Sequence, residues 1–300
     1  MPDERENDRP SGEGLDRRSP ARRSPQPDRA RHVDRGKRQG DRYRPRAGRS
    51  TASTQDRQPP DRRAAGERDE SRADPPTDPE ITGRELDDEV RSELSTLSGG
   101  AAGAVARHLV MAGRLLDDDP ALAYRHALAA RRRAARVGVV REAAGVAAYA
   151  AGRYADALAE LRAARRITGS AAYLPMMADS ERGLGRPRRA LDLAADPAVA
   201  GLDIAGRMEM LIVAAGARRD LGQLESAAVS LQVPELRSRA NQPWVARLRY
   251  AYADVLVALG RLEEARRWFL KAAEADRDEQ TDAIERIEEI DAAASAPGDR

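Results

Sequence analysis

The sequence predicts an all-α protein, a superhelical solenoid of about five helix-turn-helix units that follows a disordered N-terminal tail. The main observation is a repeated turn, in which a glycine is followed five residues later by an alanine. The clearest copies are Gly152 with Ala157, Gly185 with Ala190, Gly222 with Ala227 and Gly260 with Ala265. Successive glycines are 33, 37 and 38 residues apart. A period of about 34 residues is typical of arrays of paired helices.

Composition separates residues 1–80 from the rest of the chain. These residues hold 11 of the 18 prolines and few aliphatic side chains. They cannot bury enough apolar surface to offset the entropy of ordering, so we expect a disordered, arginine- and proline-rich tail. Within it, residues 17–49 carry 13 basic and 3 acidic side chains, a local charge of +10. The remaining residues are rich in Ala, Leu and Val and suffice for a sizeable core.

Residues 81–103 are predicted to form an N-terminal helix and a linker. Thr82 and Glu85 have the spacing of a capping box, which predicts a helix over 81–97. Apolar residues then recur on one face of this helix, and the glycines that follow would end it.

Residues 104–279 are predicted to form the repeat array. Its first pair of helices covers about 102–136 and is split at Asp119-Pro120, since aspartate is a good N-cap and proline fits the first helical position. Later pairs are split at the repeated glycines, where a positive φ is often needed. The alanine that follows each glycine is expected where two helices cross closely.

Prolines and acidic residues shape the end of the array. Asp196-Pro197 and Pro234 are expected to shorten the second helices of two pairs. Residues 280–300 complete the chain as a capping helix and C-terminal tail. The capping helix has Ile284, Ile287 and Ile290 on one side and acidic residues elsewhere, as the end of a solenoid requires for solubility.

The units 138–171 and 246–279 are the most regular. The first supplies Gly145, Gly152, Tyr154, Ala157, Leu161 and Ala164, and the second Ala253, Gly260, Leu262, Ala265, Phe269 and Ala272. This order resembles the tetratricopeptide repeat, in which small residues mark the helix contacts and a glycine marks the turn. Units 104–137, 171–204 and 208–241 are more degenerate, and the family's tryptophan and closing proline are missing. The general composition is similar to that of small actinobacterial repeat proteins.

The resemblance implies a concave groove that is lined by the first helix of each pair. At the family's groove positions this chain has the polar and aromatic residues Glu142, Tyr149, Asp179, Arg182, Glu209, Arg219, Tyr250 and Asp254. We therefore expect a non-catalytic scaffold that binds an unidentified protein, as an extended peptide or a helix, with the tyrosines as anchors. For each residue the alternative is an ordinary solvated side chain.

One subtype of the family is not expected. Members that capture the C-terminal carboxylate of chaperones resemble each other in an asparagine that this chain replaces with Val146, Asp179, Gly216 and Asp254. The two aspartates would repel an anionic peptide end.

The arginine-rich residues 17–49 suggest a second function, an RNA- or nucleic-acid-associated adaptor. Flexible arginines neutralise phosphates and release counterions, which gives salt-sensitive binding. Only Tyr43 is available there for base stacking, so the contact would be nonspecific. The plainer interpretation is a solubilising tail.

No catalytic, cofactor or metal site is expected, so the protein is not predicted to be an enzyme. The chain has no cysteine, and a metal site needs three or four clustered ligands. His108 and His126 are expected at a helix surface or in the groove, and Asp117-Asp118-Asp119 is interpreted as a helix-initiating turn. With neither a membrane-length apolar run nor a secretory signal, we expect a cytoplasmic protein. The oligomeric state stays open.

Overall fold

The computed structural model describes residues 73–98, 100–240 and 242–295. Over these ranges the chain forms twelve α-helices and two short 3₁₀ helices, and contains no β-strand. The described part of the chain is therefore all-α, as the sequence predicts. Residues 1–72, which make up most of the predicted disordered tail, and residues 296–300 lie outside the described residues.

The twelve helices follow one another as an N-terminal helix, five consecutive pairs and a C-terminal helix. Their bounds are α1 Asp88–Leu94, α2 Ala101–Arg114, α3 Pro120–Ala134, α4 Gly138–Ala150, α5 Tyr154–Thr168, α6 Leu174–Gly183, α7 Pro187–Ala194, α8 Ile204–Asp220, α9 Leu224–Leu231, α10 Pro243–Ala258, α11 Leu262–Ala275 and α12 Ala283–Ser295. Each helix packs against the next one in the chain. In addition, α2 contacts α4, and α8 contacts both α6 and α10. First helices of successive pairs therefore lie side by side at these places.

The repeated glycines close each first helix with the same turn. Their φ angles lie between +70° and +74°, the left-handed region that the sequence predicts for them. After α4, the amide of Gly152 donates to the carbonyl of Tyr149 (2.9 Å) and the amide of Arg153 donates to that of Ala148 (2.8 Å). This pair of bonds is the Schellman motif, and it recurs after α6, α8 and α10. A glycine therefore satisfies the last carbonyls of each first helix while it reverses the chain.

The alanines after these turns lie at close helix contacts, as predicted. Each of the four alanines is fully buried, with 0 % exposure. Ala157 of α5 packs among the small side chains of Ala144, Ala147 and Ala148 on α4. On the same pair, a Cβ added to Gly145 would lie 2.5 Å from the side chain of Leu161. Small residues thus let the two helices approach each other closely.

The N-terminal helix is shorter than predicted. It begins at Asp88 rather than at residue 81, and it ends at Leu94. The amide of Thr82 does donate to a carboxylate oxygen of Glu85 (3.1 Å), but the bond stabilises a turn that precedes the helix. The capping-box spacing therefore identified a real contact and the wrong secondary structure.

Residues 73–80 were predicted as part of the disordered tail, and here the prediction is wrong. Asp74 forms ion pairs with Arg132 and Arg133 of α3. Pro75 is buried. Just beyond this stretch, Ile81 is only 2 % exposed. Two ion pairs and the burial of Pro75 and of the adjacent Ile81 hold a segment whose composition alone favours disorder.

Prolines end the short second helices as predicted. Both α7 and α9 have eight residues, and 3₁₀ helices follow them at Pro197–Gly201 and Pro234–Arg237.

At the C-terminal end, Ile287 and Ile290 of α12 are buried, whereas Ile284 in its first turn is 61 % exposed. The apolar side predicted for this helix is therefore only partly covered.

Candidate functional site

The residues predicted for a groove lie on alternate helices, α4, α6, α8 and α10. Polar groups on these helices form contacts across the gaps between them. We call their shared surface the first-helix face and define it by Glu142, Tyr149, Asp179, Arg182, Glu209, Arg219, Arg247 and Asp254.

Asp179 is the centre of a network that joins three helices. The hydroxyl of Tyr149 on α4 donates to one oxygen of Asp179 on α6 (2.5 Å), and Arg182 donates to the other (2.8 Å). The Nε of Arg182 also donates to Asp220 at the end of α8 (2.9 Å). Gly216 makes room for this guanidinium, because an added Cβ would lie 2.6 Å from its central carbon. The network therefore depends on the absence of a side chain at Gly216 of α8.

Two further links join α8 to α10, and a third joins α10 to α12. Arg247 donates to Glu209 (2.6 Å), and Arg219 forms an ion pair with Asp254. Asp254 also accepts from Arg286 of α12 (3.2 Å). Together with the Asp179 network, these links connect the first helices from α4 to the capping helix.

Burial controls the protonation of the acidic and phenolic groups on the first-helix face. Burial raises the pKa of Tyr149, and the adjacent charge of Asp179 raises it further. Burial also raises the pKa of Glu209, while Arg247 opposes the rise. For Arg182, burial lowers the pKa, but its bonds to carboxylates outweigh this and the net shift is upward. These shifts keep Arg182 charged and Tyr149 neutral.

Glu142 and Tyr250 stand apart from the arginine–carboxylate links. Glu142 accepts a hydrogen bond from Tyr173, and burial, together with the charge of Glu93, raises its pKa. The ring of Tyr250 packs edge-on against Phe269 of α11, with 5.2 Å between ring centroids. Tyr250 is therefore oriented by the second helix of its pair.

Arg247 and Asp220 are not among the residues that the sequence predicts for the groove. The pairs Arg247–Glu209 and Arg182–Asp220 each span 38 residues, close to one repeat. Opposite charges separated by one repeat period are therefore the signal that could have identified them.

The prediction for His108 and His126 is wrong. Both are buried, at 5 % and 1 % exposure, and their Nδ1 atoms lie 3.0 Å apart between α2 and α3. The reason is that α2 and α3 pack with these two positions facing each other. In contrast, Asp119 caps α3 as interpreted, because its carboxylate accepts from the amide of Leu122 (3.0 Å).

The arrangement offers fixed hydrogen-bond donors and acceptors. Within the described ranges, no group of three or more His, Asp or Glu side chains could hold a metal ion. Among the helices that the structure describes, none is both long and apolar enough to cross a membrane. Comparison of the chain with protein-family models, with curated proteins and with solved structures found no match.

Proposed function

We propose that residues 104–279 form a tetratricopeptide-like solenoid, and that the first-helix face is its concave surface, where a partner protein binds as an extended peptide or a helix. The observation that carries this proposal is the repeated Schellman turn followed by a fully buried alanine. Identical turns at regular spacing give each pair a similar rotation on its neighbour, which generates a curved array.

The chemistry of the first-helix face favours a polar occupant. Its carboxylates and guanidinium groups alternate along the array and hold one another in place. An extended peptide has backbone donors and acceptors that can match such groups without a large entropic cost, because the protein side is already ordered. A purely apolar helix would instead strip water from paired charges, which is costly.

Peptide selection with the full-length chain tests this proposal. Peptides from a random library are selected, and their dissociation constants are measured by fluorescence anisotropy. We expect Arg182→Ala to weaken binding at least about tenfold, as loss of a charge-assisted contact should. Arg189→Ala, an exposed arginine on the second helix α7, is the matched control and should leave affinity unchanged. Equal effects of the two variants would reject the first-helix face as the binding surface.

The second candidate function is nonspecific nucleic-acid association through residues 17–49, favoured by their local charge of +10. The test replaces these arginines with serine in the full-length chain and measures RNA retention at low and high salt. Retention that is unchanged by the replacement excludes this function. A truncation to test it should end at residue 72, because residues 73–83 belong to the folded part.

A further inference from the structure

A buried histidine pair lies between α2 and α3, outside the first-helix face. His108 and His126 meet through their Nδ1 atoms at 3.0 Å, and their rings are tilted with centroids 5.3 Å apart. Such a bond requires a proton on one Nδ1 and a lone pair on the other. The Nε2 of His126 is buried and finds no hydrogen-bond partner among the described protein groups. The pair therefore favours the neutral state of both rings, because a second N–H on His126 would have no hydrogen-bond acceptor at Nε2.

The charges around the pair are mostly positive. They come from the segment 73–83, from α2 and from α3, and comprise Asp74, Arg107, Arg125, Arg132 and Arg133. Burial lowers the pKa of both histidines, and burial together with the neighbouring His108 lowers that of His126 to about 4. The single carboxylate of Asp74, among four guanidinium groups, does not offset this lowering of the histidine pKa values.

Residues 73–83 lie against α2 and α3 beside the pair, at Ala106 and at Arg132 and Arg133. Asp74 binds Arg132 and Arg133, on the α3 side of the pair. Gly83, with φ +87°, approaches α2 so closely that an added Cβ would lie 2.6 Å from the Cβ of Ala106. The segment contains turns but no helix, so few of its backbone bonds need to break for it to detach.

We propose that the His108–His126 pair is an acid-sensitive latch that controls the docking of residues 73–83 on α2 and α3. Above the ordinary histidine pKa, both rings are neutral and the segment stays docked. A proton on His126 creates a buried cation whose Nε2–H has no acceptor. Detachment of the segment hydrates that cation, and docking is lost progressively as the pH falls from about 6.5 towards 4.

Two of the carboxylates that hold the segment, those of Asp74 and Glu85, do not titrate in this range. Ion pairs with Arg133 and Arg132 lower the pKa of Asp74 to about 2, and backbone hydrogen bonds lower that of Glu85 to about 2. Both stay ionised at pH 5, so a transition above this pH that His126→Asn abolishes belongs to the histidines. If detachment restores one histidine to its ordinary pKa, the opening constant rises roughly 30-fold between pH 7.5 and pH 5.

Hydrogen exchange in the full-length chain tests the latch. The reporter is the amide of Ile81, which donates to the carbonyl of Asp78 (3.0 Å). After correction for intrinsic exchange, we expect its rate to rise roughly 30-fold from pH 7.5 to pH 5. His126→Asn keeps an N–H near the Nδ1 position but cannot titrate, so its rate should stay nearly constant. At both pH values the corrected exchange rates of buried α10 amides, such as that of Leu256, should stay well below that of Ile81.

Two results would overturn the proposal. One is the same pH response in wild type and His126→Asn. The other is exchange at Val105 and Ala130 as fast as at Ile81, because the helix pair itself would then be opening. Should His126→Asn not fold, His126→Gln, which also cannot titrate, is held to the same criterion. Asp74→Asn provides a further check, since it should speed exchange at pH 7.5 while the histidine response remains.

Discussion

Replacing Ala157 with leucine tests the helix contact on which the repeat depends. Ala157 is completely buried, and its neighbours on α4 are themselves alanines. Leucine adds three carbon atoms to a site where the small side chains set the distance between α4 and α5. The larger side chain must displace one helix or adopt a strained rotamer.

The expected cost follows from this packing. Overfilling a close-packed site typically lowers the free energy of unfolding by about 1–3 kcal/mol. For a folded region of this size, each kcal/mol lost from the free energy of unfolding lowers Tm by about 2–4 °C, so we expect Tm to fall by about 2–12 °C. Ala159→Leu, two residues further along α5 and exposed, introduces the same side chain into solvent. It should change stability by less than about 0.5 kcal/mol.

Thermal unfolding followed by circular dichroism, with urea unfolding as a second measurement, distinguishes the two variants. A cooperative transition at lower temperature for Ala157→Leu alone supports the close contact. If both leucine variants unfold together with the wild type, α4 and α5 do not cross closely at this position. The predicted packing of the repeat would then be refuted.

Three further measurements probe other parts of the fold. Gly222→Ala places an alanine at φ +74° with open space around it, so only the backbone strain of about 1–2 kcal/mol should appear in urea unfolding. Gly113→Ala, in open space within α2, should instead stabilise by up to about 1 kcal/mol, and equal shifts would contradict the turn geometry. Tyr149→Phe removes the bond to Asp179 and should cost about 0.5–1.5 kcal/mol, whereas no loss would show that this bond is dispensable. Because the pKa of His126 is lowered on folding, its neutral ring contributes stability that should be fully present above pH 6.5 and be lost as the pH falls towards 4. If the same loss of stability persists in His126→Asn, it belongs to another group.

Local chemistry made the helix pairs predictable from the amino-acid pattern. A glycine closes a first helix because it adopts positive φ without strain, and Asp119 begins α3 because its carboxylate reaches an amide three residues ahead. The residues that take part in each of these interactions are only a few positions apart, so a short stretch of sequence is enough to predict them. The same locality explains one error, since Thr82 and Glu85 form their bond without a helix around it.

Contacts between residues far apart in the sequence depend on how the helices pack. His108 meets His126 across 18 residues, and Asp74 meets Arg132 across 58. No local pattern specifies which faces of two helices will meet, because that choice depends on the summed packing of all their side chains. The amino-acid order alone thus established an all-α chain with its turns and buried alanines. Only the packed helices revealed the polar links of the first-helix face, the histidine pair and the docking of residues 73–83.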